Sequence, residues 1–210
     1  MASVISPPEQ RVVLNNISWR MYEGLLEAHR DRSVPRFTYD RGQLEIMSPS
    51  PEHEQIKETV TLLVNIVAEE RGVNAEGFGS TTFSREDIAR GFEPDASFYI
   101  ANFSRVKGKT ELDLRTDPPP DLVIEIDITN PSLPKFPIFA QLGVPEVWLY
   151  QDRAMRIFRL EAGTYVEQTA SSALAGLTSD VLSRFLDESR TQERLGWLRR
   201  VREWARRLSS

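Results

Sequence analysis

Cysteine is absent from the 210-residue chain, and histidine occurs only as His29 and His53. The first absence excludes disulfide scaffolds, thiolate zinc sites and cysteine nucleophiles. The scarcity of histidine excludes a His-rich metal site, so any metal would take mainly oxygen ligands, as Mg²⁺, Mn²⁺ and Ca²⁺ do. No apolar run reaches the roughly 18 residues of a membrane helix. The stretch 1–16 also lacks the charged-then-apolar pattern of a secretion signal. No membrane association is expected, and the lack of cysteine is compatible with a cytoplasmic protein. Internal repeats and low-complexity segments are missing too.

What remains is a chain with 40% hydrophobic and 27% charged residues, the balance of an ordinary globular domain with a real core. A net charge of −5 argues against non-specific nucleic-acid binding as its main business. The charge is uneven, however. Residues 188–210 hold seven Arg against three Glu, a local +4 that leaves −9 on the rest. Within that segment Trp197, Val201, Trp204 and Leu208 step along one helical face while the arginines take the others. Packing onto the body or a second subunit is one reading; a phosphate-contacting or membrane-surface helix is the other.

Apolar periodicity predicts a helix over 18–32 capped by Ser18, and a hairpin of strands 36–39 and 43–47 around Asp40-Arg41-Gly42. A helix over 51–71 follows, capped by Ser50 and stopped by Gly72, with His53 on its apolar face. Strands are expected at 78–83, 95–100, 121–128 and 146–150, with a helix at 135–142 before the last. A second hairpin (154–160, 165–169) and two helices (179–188, 191–208) close the chain. This order suggests an α/β (α+β) fold, a mixed central sheet flanked by helices. Nothing splits the body, so 1–187 reads as one domain and 188–210 as a basic amphipathic extension.

The most informative segment is 121–128. Leu122, Ile124, Ile126 and Ile128 give one purely aliphatic face, and the other carries Glu125 and Asp127. Two carboxylates side by side repel and, if buried, lose hydration, so they call for a cation. The alternative is an edge strand whose polar face meets water. Asp95 opens a strand directly after Pro94, and if that strand pairs with 121–128, Asp95, Glu125 and Asp127 converge. Two or three carboxylates with a backbone carbonyl suit a hard cation. Lys135 stands just beyond, either exposed at a helix start or placed to polarise a water or a phosphate. His53, and more weakly Glu45, read either as core residues or as parts of a site.

These residues resemble a known pattern. A Pro-Asp strand entry, a hydrophobic strand bearing Glu-x-acid, and a following lysine are similar to the PD-(D/E)XK nuclease superfamily. The stretches 40–49 with His53, 93–95, 121–132 with Lys135, and 143–148 together resemble the Uma2 family (DUF820), over roughly residues 10–187. The resemblance implies a restriction-endonuclease-like core and Mg²⁺-dependent (or Mn²⁺-dependent) cleavage of DNA. Asp95, Glu125 and the Ile126 carbonyl would be metal ligands. Lys135, Asp127 and His53 would join Asp95 and Glu125 as candidate catalytic residues. One departure stands out: the superfamily lysine belongs two residues after the glutamate, where this chain has Asp127. The resemblance further implies a homodimer, as for nucleases that cut two strands. A relative that keeps the fold as a binding or regulatory module without turnover is the alternative, and action on RNA or a nucleotide is a third.

Overall fold

The computed structural model describes residues 9–128 and 133–208. The chain runs β1 (Gln10–Leu14), α1 (Trp19–Ala28), β2 (Arg36–Asp40), β3 (Gln43–Ser48), α2 (Pro51–Glu70), β4 (Glu76–Gly77), β5 (Phe83–Arg85), β6 (Arg90–Phe92), β7 (Ala96–Tyr99) and α3 (Phe103–Val106). It continues through β8 (Leu122–Ile126), α4 (Phe136–Leu142), β9 (Glu146–Gln151), β10 (Ala154–Glu161), β11 (Thr164–Gln168), α5 (Ser179–Thr191) and α6 (Arg194–Arg207). The strands form two sheets. One has the order β1-β3-β2-β6-β5 and is antiparallel throughout. The other has the order β11-β10-β9-β8-β7-β4 and is mixed, because β8 and β9 are parallel and α4 makes the crossover between them.

Local chemistry accounts for the ends of these elements. Ser18 and Ser50 accept from the backbone N–H groups of Met21 and His53, each at 3.2 Å, and so cap α1 and α2. Such caps contribute about 1 kcal/mol each. Three two-residue hairpin turns carry positive φ at both positions: Arg41-Gly42, Asp152-Arg153 and Ala162-Gly163. That geometry matches the right-handed twist of the flanking strands. Gly91 in β6 lies so close to Tyr22 that a Cβ there would sit 2.4 Å from the phenol oxygen, so the strand tolerates no side chain.

The second sheet is covered on both faces. Leu122, Ile124 and Ile126 of β8 face a core shared with α2, α5 and α6, including Val60, Leu63, Trp148, Phe185, Trp197 and Val201. Val123 faces a second core with Phe92, Ile138, Phe139 and Val147. The edge-strand reading of 121–128 therefore fails: β8 lies between β7 and β9, and its five residues are all buried. By the alternation of a strand, Glu125 follows Val123 toward the α4 side.

Most predicted elements are present, with three differences. Helix α1 stops at Ala28, short of residue 32. Of the expected strand at 78–83 only Phe83 lies in a strand, β5, and 78–82 cross between the two sheets. The Phe78 N–H bonds Ser97 O, and the Thr81 N–H and hydroxyl both return to Phe78 O, so the chain turns at Gly79-Ser80. A second sheet stands where one was expected, because β1, β5 and β6, all short, extend the predicted hairpin on both sides. Among the described residues no helix is long and apolar enough to cross a membrane. The stretch 129–132 of the motif lies outside the described residues.

Helix α6 is docked by Trp197, which is 1% exposed and donates its Nε1–H to Phe185 O at 2.8 Å. Trp197→Ala should lower unfolding free energy by about 3–5 kcal/mol in a urea titration, as deleting a buried aromatic does. A loss under about 1 kcal/mol would mean that α6 is not integral to the core.

Candidate active site

β7 pairs antiparallel with β8, with Ala96 opposite Ile124, so Asp95 lies beside the end of β8. Asp95 Oδ2 accepts from the Ile126 N–H at 2.6 Å. Lys135 stands at the N-cap of α4, and its Nζ is 2.5 Å from Glu125 Oε2. The strand pairing on which a convergence of carboxylates depended is present, and the lysine reaches the glutamate from the following helix. Asp127 is not the partner of Lys135. It extends the β8–β9 pairing through its own N–H to Tyr150 O at 2.8 Å, and its Oδ2 takes a 3.5 Å contact from Gln151 Nε2.

His53 is fully buried and bridges two carboxylates, with Nδ1 2.7 Å from Glu9 Oε2 and Nε2 2.7 Å from Asp95 Oδ1. Arg36, at the start of β2, donates to the same Asp95 oxygen and to Glu54 Oε1 at 2.6 Å. Glu45 on β3 is buried too and accepts from the Leu133 N–H at 3.2 Å, which ties the first sheet to the approach to α4. Arg11 on β1 reaches Glu9 at 2.7 Å, Glu45 at 3.4 Å and Asp127 at 3.5 Å. The core of the site thus packs the carboxylates of Glu9, Glu45, Asp95, Glu125 and Asp127 against Arg11, Arg36, Lys135 and His53.

The environments set these groups apart. Burial lowers the His53 pKa, but its hydrogen bonds to Asp95 and Glu9 outweigh that and raise it to about 9. The imidazole is therefore protonated at neutral pH and donates from both nitrogens, and Arg36 is a like-charged neighbour held by the same carboxylate. Burial raises Asp95, yet the hydrogen bond from His53 and the charge of Arg36 drive it well below the usual carboxylate range. Burial dominates at Glu125 and pushes it up to about 6, against the pull of Lys135. Burial likewise lifts Asp127 to about 6, against Arg11. For Lys135 burial acts downward, and the attraction of Glu125 and Asp95 leaves it raised and charged.

Beside this cluster lies a small cavity of about 80 Å³ lined by Arg11, Glu125, Ile126, Asp127, Lys135 and Gln151 together with Phe136, Phe139 and Leu149. Glu125 Oε1 and Asp127 Oδ1 are buried and have no hydrogen-bond partner among the described residues. Orphaned carboxylate oxygens are costly in a protein interior, and a hard cation satisfies them. Asp95 keeps a spare lone pair on Oδ2, which accepts one N–H. Among the described residues no three Asp, Glu or His side chains form a ready cage, so the backbone and water would have to complete the shell. The donor set fits Mg²⁺ or Mn²⁺ on those terms.

Sequence reasoning singled out Asp95, Glu125, Asp127, Lys135, His53 and Glu45, and all six side chains fall in this one region. It missed Glu9, Arg11, Arg36 and Glu54. The signal available was charge balance: buried carboxylates require buried cations, and Arg11 and Arg36 are arginines on strands, where they project toward one sheet face.

The family model described as "Putative restriction endonuclease", Uma2, matches residues 19–187, and the chain belongs to that family. A solved structure of similar shape is a "putative nuclease belonging to DUF820" from Anabaena variabilis ATCC 29413. It is 21% identical, covers 72% of this chain and 92% of its own, and superposes with a TM-score of 0.49. No curated protein matches the chain.

The protonated His53 gives a pH dependence with a definite sign. A pKa raised from 6.5 to about 9 on folding contributes stability that is complete below pH 6.5 and is lost as pH rises through 9. The loss should approach about 3 kcal/mol. Glu125 and Asp127, each raised to about 6, are still partly protonated at pH 6.5 and add a small decline of the same sign up to about pH 7.5. Urea titrations of the metal-free protein at pH 6.5, 7.5, 8.5 and 9.5 should show the full decline in wild type and, in His53→Gln, its absence above pH 7.5.

Proposed function

We propose that the chain is a divalent-metal-dependent endonuclease that hydrolyses phosphodiester bonds in DNA. The observation that carries this reading is the 2.5 Å contact between Lys135 and Glu125 beside Asp95, at a cavity where Glu125 Oε1 and Asp127 Oδ1 accept no hydrogen bond among the described residues. Family membership supports the same class of reaction. In this reading Asp95, Glu125 and the Ile126 carbonyl would hold Mg²⁺ or Mn²⁺, with Asp127 alongside. The cation, when bound, supplies polarisation of the scissile phosphate and a lower pKa for water. Residues 1–187 carry the chemistry and 188–210 add basic contacts. Cutting both strands of a duplex calls for two such sites, hence a homodimer, and a genomic DNA substrate places it in the cytoplasm.

The roles of the side chains follow from their contacts. Glu125 holds the Lys135 ammonium in the cavity wall. Lys135 orients the attacking water or offsets charge building on phosphorus. His53 already carries its proton and is no base; it positions Asp95, with Arg36, through Oδ1. A binding module without turnover is the second reading, favoured by one observation: both Asp95 oxygens are engaged within the protein.

Calorimetric titration of Mg²⁺ and Mn²⁺, with plasmid nicking on the same samples, separates these readings. Wild type should bind metal and nick DNA. Glu125→Ala should lose metal binding by at least about 10-fold. Lys135→Ala should keep metal binding but nick about 100-fold more slowly. Metal binding with no nicking by wild type would favour the module, and no binding even with DNA present would sink the enzyme.

A further inference from the structure

The cavity beside Lys135 shares lining residues with a neighbour. Asp127 and Gln151 are also walls of a neighbouring cavity of about 130 Å³, which is further lined by Glu52, Tyr150, Asp152 and Arg153. Glu52 and Arg153 are in turn walls of a cleft of about 620 Å³. That cleft lies between α2, the C-terminal helices and the β9–β10 turn, and Arg190 and Arg194 line its far side. Three cavities that share walls in pairs make one track from Lys135 to Arg194.

The cations on this track stand in contrast to those inside the site. Arg153 and Arg194 pair with no carboxylate among the described residues, whereas Arg11, Arg36 and Lys135 are all paired. Arg190 differs from Arg153 and Arg194: it pairs with Asp187 at 3.5 Å, and its guanidinium is 5.9 Å from the centre of the Tyr150 ring. Beyond Glu125 the track also carries four carboxylates: Asp152 precedes Arg153 in the turn, Asp127 has Arg11 at 3.5 Å, and Glu52 and Glu58 lie on the α2 wall. Glu58 has Lys57 at 3.4 Å, and Glu52 sits in the first turn of α2, where the helix end favours negative charge.

Arg153 also occupies a conformation that argues for use. Of the three tight hairpin turns, Arg41-Gly42 and Ala162-Gly163 place glycine second, but Asp152-Arg153 places arginine there, with φ of +63°. A side chain disfavours that left-handed region, and glycine would occupy it freely. A long cation kept at an unfavourable turn position, at the junction of two cavities, fits a binding role better than a structural one.

We infer that the track from Asp127 to Arg194 binds the phosphodiester backbone of the DNA strand leading away from the scissile bond, with Arg153 and Arg194 as phosphate contacts. This rests on the endonuclease reading above. The recognition is electrostatic and carries no base specificity.

The test is fluorescence anisotropy of a labelled DNA duplex titrated with the full chain, with Ca²⁺ in place of Mg²⁺ to block cleavage, at several salt concentrations. Arg153→Gly and Arg194→Ala should each weaken binding about 5- to 10-fold and lower the log–log salt slope by about 1. Calorimetric metal affinity should not change. Arg153→Gly should also hold or raise the melting temperature, because glycine suits the turn, so weaker binding cannot be ascribed to misfolding. Wild-type binding with unchanged affinity and slope in both variants would overturn the track and leave the endonuclease reading standing. Losses seen with single-stranded RNA but not with DNA would overturn the DNA assignment. Failure of wild type to bind either polymer would overturn the track together with the endonuclease reading.

Discussion

Burying carboxylates without cations is prohibitive, and the arrangement of this molecule follows from that constraint. Glu9, Glu45, Asp95, Glu125 and Asp127 are withdrawn from water at the meeting of the two sheets. Each is approached by a positive group: Arg36 and His53 at Asp95, Lys135 at Glu125, and Arg11 at Glu9, Glu45 and Asp127. Removing one member would leave its partner as an uncompensated buried charge, so the network acts as a unit. It is also incomplete, since Glu125 Oε1 accepts no hydrogen bond among the described residues and Asp127 Oδ1 has only the 3.5 Å ion pair with Arg11. A fold that satisfies most of its buried acceptors and leaves these two without a hydrogen bond has a local demand for positive charge.

The architecture explains why those two are the acceptors left without hydrogen bonds. β8 is covered on one face by the α2, α5 and α6 core and on the other by α4 and its neighbours. Its aliphatic residues fill the first core. Val123 fills the second, and the next residues on that side, Glu125 and then Asp127, emerge where that core ends. The parallel β8–β9 pair needs a crossover, and α4 supplies it, so Lys135 at the start of α4 is brought back over the strand it has just left. Connectivity thus brings to Glu125 a lysine that the strand itself does not carry.

The parts of this that were legible in the sequence are those with strong local signals. The alternation in 121–128, the caps Ser18 and Ser50, and the glycine stops at 72 and 143 all correspond to observed features. Short strands lacked such signals. β5 and β6 have three residues each, too few for a period, and β1 exposes Val12 and Leu14 on an edge, so its pattern does not mark a buried face. The acidic half of the site was visible because two carboxylates interrupt an aliphatic strand. The cationic half was not, since Arg11 and Arg36 sit on strands whose place depends on the second sheet. Lys135 was readable as a candidate only because it follows the carboxylate strand so closely.

The site is assembled from widely separated parts of the chain. Glu9 meets His53 across 44 positions, Arg36 meets Asp95 across 59, and Glu45 meets the Leu133 backbone across 88. Contacts of such separation form late, after loop closure has been overcome by the surrounding core. During synthesis Glu125 leaves the ribosome before Lys135, and β9, the parallel partner of β8, later still. The cavity is complete only with Leu149 and Gln151 of β9 in place, and α5 and α6 pack on the core on which β8 rests.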